Sequence, residues 1–139
     1  MAIRFYFDAD IIGLGKLLVQ VRPDVTYAGD RGGVGIDKKP RPPSPIVPNV
    51  PDPDWIPKTA ALGWLVITRD RHMLSRRAER QEILQSGARH VRLDPSNGQL
   101  SKWDQLEILM IRWRSIEAIA DEPGPWVYSA SRTRLRKEL

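Results

Sequence analysis

The chain of 139 residues contains no cysteine, which excludes disulfides, thiolate metal sites and cysteine nucleophiles together. No window approaches the ~18 uninterrupted apolar residues a membrane span needs, so a soluble protein is expected. The N-terminal apolar stretch is broken at Asp8 and Asp10, shows no cleavage-site pattern and leads into an amphipathic segment. A secretory signal does not fit, and a cytoplasmic location is expected. What is present, 41% hydrophobic and 28% charged residues in 15.8 kDa, is the composition of one compact domain with one core. Lys and Arg number 22 against 17 Asp and Glu, and the resulting charge of +5 favours a polyanionic partner.

Arg4 to Asp8 reads as a short buried strand ending in a carboxylate, followed by a helix over Ile11 to Val21 whose Ile11, Leu14, Leu18 and Val21 fall at helical spacing. Val25 to Tyr27 predicts a brief second strand. Residues 28–53 then form a loop insertion, with four glycines (Gly29, Gly32, Gly33, Gly35) ahead of seven prolines from Pro40 to Pro53. Such a stretch is expected to be either a mobile insertion or a functional flap. A short helix is predicted over Asp54 to Leu62, capped by Asp52 or Asp54, and Trp64 to Thr68 is the clearest strand, apolar without alternation as in a strand covered on both faces. Arg76 to Ser86 predicts a helix closed by Gly87, His90 to Leu93 a fourth strand, and Asn97-Gly98 a turn. Ser101 with Asp104 resembles a capping box, opening a long helix whose Trp103, Leu106, Leu109, Met110, Trp113, Ile116 and Ile119 form a broad apolar stripe, core or subunit face. Trp126 to Tyr128 suggests an edge strand, and residues 130–139 a frayed basic tail. Strands alternating with helices, without hairpins, predict an α/β fold with a parallel sheet covered on both faces.

In such a sheet the binding crevice lies outside the carboxyl ends of the strands. Asp8 and Asp70 each follow an apolar strand there, while Asp10 and Asp54 could reach the same edge. Each is also a natural helix cap. A cap needs one acceptor, however, and the pairs Asp8/Asp10 and Asp52/Asp54 supply two. Carboxylates about 4 Å apart repel by ~4 kcal/mol at an effective dielectric near 20, so a cluster takes up protons or a cation. An all-oxygen donor set suits Mg²⁺ or Mn²⁺, and such an ion orients water for attack on a phosphodiester.

Seven arginines lie between Arg69 and Arg92. Arg69 and Arg71 flank Asp70 and are candidates to grip phosphate, as are Arg76 and Arg77, for which the plainer reading is a solvated helix face paired with Glu79 and Glu82. His72 is read as a proton shuttle or a surface residue of a first helical turn. Gly32-Gly33-Val34-Gly35 misses phosphate-loop spacing, and Ser44, Ser75 and Ser129 lack the context of a serine hydrolase nucleophile. A phospho-acceptor receiver domain would need a lysine where the fourth strand ends in Leu93-Asp94-Pro95.

With Phe5-Tyr6-Phe7-Asp8-Ala9-Asp10, Asp52-Pro53-Asp54-Trp55-Ile56-Pro57 and Val66-Ile67-Thr68-Arg69-Asp70 in that order, the chain resembles the PIN-like nuclease superfamily over residues 4 to 93. Its second and third motifs look like those of VapC-type toxin ribonucleases of type II toxin–antitoxin systems. The resemblance implies a three-layer α/β fold, a mainly parallel sheet of four to five strands flanked by helices, in one domain over residues 1–129. It implies cleavage of RNA with Mg²⁺ or Mn²⁺, ligands falling on Asp8, Asp54 and Asp70, a cognate antitoxin protein as partner, and a homodimer. Two departures stand out: His72 occupies a position where relatives often carry an acid, and the fourth ligand falls on either Asp10 or Asp94. The alternative is a catalytically silent PIN-like module that binds RNA or protein.

Overall fold

The computed structural model describes residues 2–36, 38–94 and 100–139, so the turn expected at Asn97-Gly98 lies outside the described residues. Among the described residues, eight strands and four α-helices follow one another as β1 (Phe5–Phe7), α1 (Ile12–Leu18), β2 (Val25–Tyr27), β3 (Gly33–Val34), β4 (Pro40–Arg41), α2 (Asp52–Ala61), β5 (Leu65–Thr68), α3 (Arg77–Ser86), β6 (Arg89–Leu93), α4 (Lys102–Ile119), β7 (Trp126–Ala130) and β8 (Leu135–Lys137). Six strands form one sheet in the order β2-β1-β5-β6-β7-β8, parallel except for β8. The expected α/β architecture holds, with six strands where four to five were anticipated. The order reverses at β1: the chain passes from β1 outward to β2, then returns to β5 on the other side, so a crevice is expected at the carboxyl ends of β1 and β5.

Alternation along the strands divides the core. Phe5, Phe7, Leu65, Ile67, Val91, Leu93 and Trp126 face α1 and α4, meeting Leu14, Leu18, Ile108 and Ile116. Tyr6, Val66 and Val127 face α2 and α3, meeting Trp55, Ile56 and Ile83. The unbroken apolar run of β5 is explained by this double cover, for all four of its residues are buried. Helix α1 approaches β1 and β2 closely at Gly15, where an added Cβ would stand 2.8 Å from Tyr27 Cβ and 2.9 Å from Phe7 Cβ.

The Pro-rich stretch is docked. Ile46 is buried, the Gly29 N–H donates to Ile46 O at 2.8 Å, and Arg41 bonds both to buried Asp30 and to Val25 O. Its strands β3 and β4 pair as a separate antiparallel ribbon.

Several expectations are corrected. Trp126 to Ala130 is an inner strand, and the edge belongs to β8, which pairs antiparallel with β7 where a frayed tail was expected. Helix α4 does open with the capping box of Ser101 and Asp104, yet Trp103 is 74% and Met110 63% exposed, so neither joins the core. Helix α2 begins at Asp52, with Pro51 as N-cap, two residues before the expected start.

Candidate functional site

At the carboxyl ends of β1 and β5, Thr68 joins two acids distant from it in sequence. Its Oγ1 donates to Asp8 Oδ2 at 3.0 Å and lies 3.3 Å from Asp10 Oδ2. A hydroxyl has one proton, so it serves one of these carboxylates at a time. Its lone pairs accept the Asp70 N–H at 3.2 Å, which ties the start of the following turn to the same point. Strand alternation puts Thr68 and Asp8 on the α2–α3 side of the sheet.

Asp8 also caps the 3₁₀ turn Ala9–Ile11, accepting the Ala9 N–H at 2.6 Å. Capping and clustering are both true of it. Burial, then the negative charge of Asp10, push its carboxyl up to about 7, against the hydrogen bonds from Ala9 and Thr68, and Asp52 adds to the rise. Asp10 is raised to about 6, chiefly by burial, with Asp70 contributing and the Arg69 backbone N–H and guanidinium opposing. The Tyr6 phenol beneath them is raised by burial and by the charges of Asp8, Asp10 and Asp52. Four acids thus act at this edge, Asp8, Asp10, Asp52 and Asp70, with Arg69 opposing at Asp10 and Arg76 paired with Asp70.

Asp52 and Asp54 both lie in the first turn of α2, Asp52 half-buried and Asp54 exposed. Asp52 Oδ1 accepts the Trp55 indole N–H at 2.9 Å. Trp55 is itself fixed by stacking on buried His90, ring centroids 5.8 Å apart, and by a tilted contact with Tyr6 at 5.7 Å. Asp54 is exposed on the same helix, and the acid of α2 whose charge acts on Asp8 is Asp52. Asp70 Oδ1 accepts the His72 N–H at 2.9 Å, and its Oδ2 is 2.7 Å from Arg76 Nη1. The same Nη1 lies 3.8 Å from Asp52 Oδ2, so Arg76 spans two of the acids.

The other arginines divide by location. Arg69 is exposed beside Asp10, and Arg71 and Arg77 are exposed nearby in sequence. Arg89 donates to the carbonyls of Gly63 and Ala120 at the opposite edge, and Arg92 pairs with Glu138 at 2.6 Å. Asp94 stands at the end of β6, two strands from β1. His72 is exposed in the turn after Asp70. A cavity of about 310 Å³ opens beside Asp10, its lining including Arg69, Lys102 and Gln105. Lys102 and Thr68 were not singled out from the sequence. Thr68 lies inside the Thr-Arg-Asp motif and could have been, whereas nothing local marks Lys102.

Among the described residues no three His, Asp or Glu side chains form a ready-made metal-binding group. The donor set nonetheless suits a hard divalent cation: it is carboxylate throughout, and its mutual repulsion is what a bound cation relieves. Asp70 and Asp52 are held by Arg76 and Trp55 in this arrangement.

A family model described as a PIN like domain matches residues 38–94, which include β5, Asp52 and Asp70. The match supports a PIN-like domain, and the mostly parallel, helix-flanked sheet is consistent with a PIN-like fold. Neither a curated protein nor a solved structure matches the chain significantly. No helix among the described residues is long and apolar enough to cross a membrane.

Proposed function

We propose that this protein is a Mg²⁺- or Mn²⁺-dependent endoribonuclease. The observation that carries the reading is the Asp8–Thr68–Asp10 cluster at the switch point of the sheet, with Asp52 and Asp70 acting on it electrostatically. Asp8, Asp10 and Asp70 would hold the ion with Asp52 in support. When bound, that ion supplies charge stabilisation to a phosphodiester and makes water nucleophilic at neutral pH. The chain's own groups do the rest. Thr68 fixes the carboxylate of Asp8 and the backbone at Asp70, Arg69 and Lys102 offer positive charge to the scissile strand from the cavity wall, and Arg71 and Arg77 extend it. Arg76 pairs with Asp70 and, were a cation held by that carboxylate, its guanidinium would be a further donor for phosphate.

The toxin role follows the likeness of the second and third motifs to VapC-type ribonucleases. It brings with it a cytoplasmic setting, an antitoxin that covers the cleft, and a homodimer. The direct test is RNA cleavage with and without Mn²⁺: Asp70→Asn should abolish the stimulated cleavage with an unchanged circular dichroism spectrum. Full cleavage by that variant rejects the assignment. A second reading, a silent RNA- or protein-binding module, is favoured by the Arg76–Asp70 ion pair, since a permanent pair there would leave the cluster short of a ligand. Salt-sensitive RNA binding without heat from Mn²⁺ titration would select it.

A further inference from the structure

A second polar cavity, of about 300 Å³, lies along the same edge of the sheet and is lined by Asp94, Ser129, Ser131, Thr133, Arg134 and Arg136. We propose that it binds a backbone phosphate of the RNA strand, next to the acidic cluster and on the same face of the sheet. The identity of the strand rests on the nuclease reading above.

The placement follows from register. In β7, Val127 packs on the α2–α3 side, so Ser129 faces that side too, and its antiparallel partner in β8 is Arg136. Thr68 and Asp8 face the same side from β5 and β1. Strand β7 is two positions from β5 in the sheet, a lateral distance of about 10 Å at ~4.8 Å per strand. One extended oligonucleotide can therefore meet both places.

The cavity is built, and its charged donors are the guanidinium groups of Arg134 and Arg136, since the Ser131 hydroxyl itself donates to Arg134 O at 3.3 Å. The Ser131 hydroxyl organises the turn, lying 3.2 Å from Thr133 Oγ1 and accepting the N–H groups of Thr133 and Arg134 at 3.3 Å. Arg132 pins that turn to α4 through Asp104, at 2.8 Å, and Glu107, while Arg112 donates to Arg132 O at 3.0 Å. Among the described residues neither Arg134 nor Arg136 has a carboxylate partner. The one acid in the lining, Asp94, has Arg92 at 3.9 Å. Two unpaired guanidinium groups and hydroxyls around one cavity suit an anion with several acceptor oxygens, the chemistry of a phosphodiester.

The test is binding of a fluorescently labelled single-stranded oligoribonucleotide to the full chain in EDTA, followed by anisotropy over a salt series. Arg134→Ala with Arg136→Ala should weaken binding more than about fivefold and flatten the slope of log K against log salt by up to about 1.4, at ~0.7 per lost phosphate contact. The control, Lys16→Ala with Arg114→Ala, removes equal charge from exposed positions of α1 and α4 and should shift affinity less than about twofold. Equal losses in both double variants would reduce the effect to net charge and overturn the pocket, as would no loss in the first. Because EDTA removes any need for catalysis, failure of the wild type to cleave RNA contradicts the nuclease reading alone.

Discussion

Arg76 Nη1 lies 2.7 Å from Asp70 Oδ2, so the guanidinium occupies the carboxylate that a cation would use. The arginine side chain is 46% exposed, and a pair so open to water is worth about 1 kcal/mol or less. Arg76→Gln should therefore tighten Mn²⁺ binding modestly, by about two- to fivefold, and at the same time weaken RNA binding. Calorimetry and anisotropy on the same preparation check both directions. Weaker Mn²⁺ binding in the variant would mean that Arg76 organises the acids and does not compete for them.

Thr68 is the group through which Asp8, Asp10 and the Asp70 backbone meet. Thr68→Val keeps the shape and the β-branch of a buried strand residue and removes the hydroxyl. Mn²⁺ affinity should fall about 10- to 100-fold, the usual cost of losing a group that orients ligands. Thr68→Ser should retain most of it. Equal Mn²⁺ binding by wild type and Thr68→Val would mean that the hydroxyl does not orient the carboxylates.

Asp52 and Asp54 share one helix and differ in surroundings, Asp52 bonded to Trp55 and Asp54 exposed. Asp52→Asn should lower metal-stimulated cleavage by more than about tenfold, while Asp54→Asn stays within about threefold of wild type. The reverse ranking would return the second acid to Asp54.

The pH dependence has a fixed sign. Asp8 is raised to about 7 from an ordinary value near 3.8, so the folded state holds its proton more tightly than the unfolded chain does. Its contribution to stability is complete below pH ~4 and is lost as pH rises through 7. His90, buried and lowered to about 3, acts oppositely: its contribution is complete above pH ~6.5 and is lost as pH falls. Between pH 6.5 and 8 the Asp8 effect dominates. Metal-free protein should lose melting temperature across that window, and Asp8→Asn should lose less. Mn²⁺ affinity should climb over the same range as protons leave the acids, since only the ionised carboxylates bind. A flat wild-type profile in thermal melts would contradict the raised carboxyl.

Much of this site was legible in the sequence because strand ends in a parallel sheet announce themselves: an apolar run followed by an aspartate puts Asp8 and Asp70 on one edge. The doubly covered run of β5 and the Ser101–Asp104 cap follow from local chemistry and appear as expected. The surroundings of Asp52 were hidden because they depend on α2 starting at Asp52, after Pro51 as N-cap, and on an indole turned back along the helix, neither of which two-residue spacing reveals. The fates of Arg76, Arg89 and Arg92 depend on carboxylates and carbonyls brought close only by folding. Strand β8 was missed because three residues rich in charge carry no period-2 signal, and pairing with β7 supplies the order.

Whether these carboxylates hold a cation is decided by calorimetric titration of Mn²⁺ into the full chain at pH 8, beside Asp8→Asn and Asp70→Asn. Saturable binding by the wild type, weakened at least about tenfold in each variant with their folds intact, is the predicted result. Absence of saturable binding by the wild type, or binding indifferent to both substitutions, would contradict it.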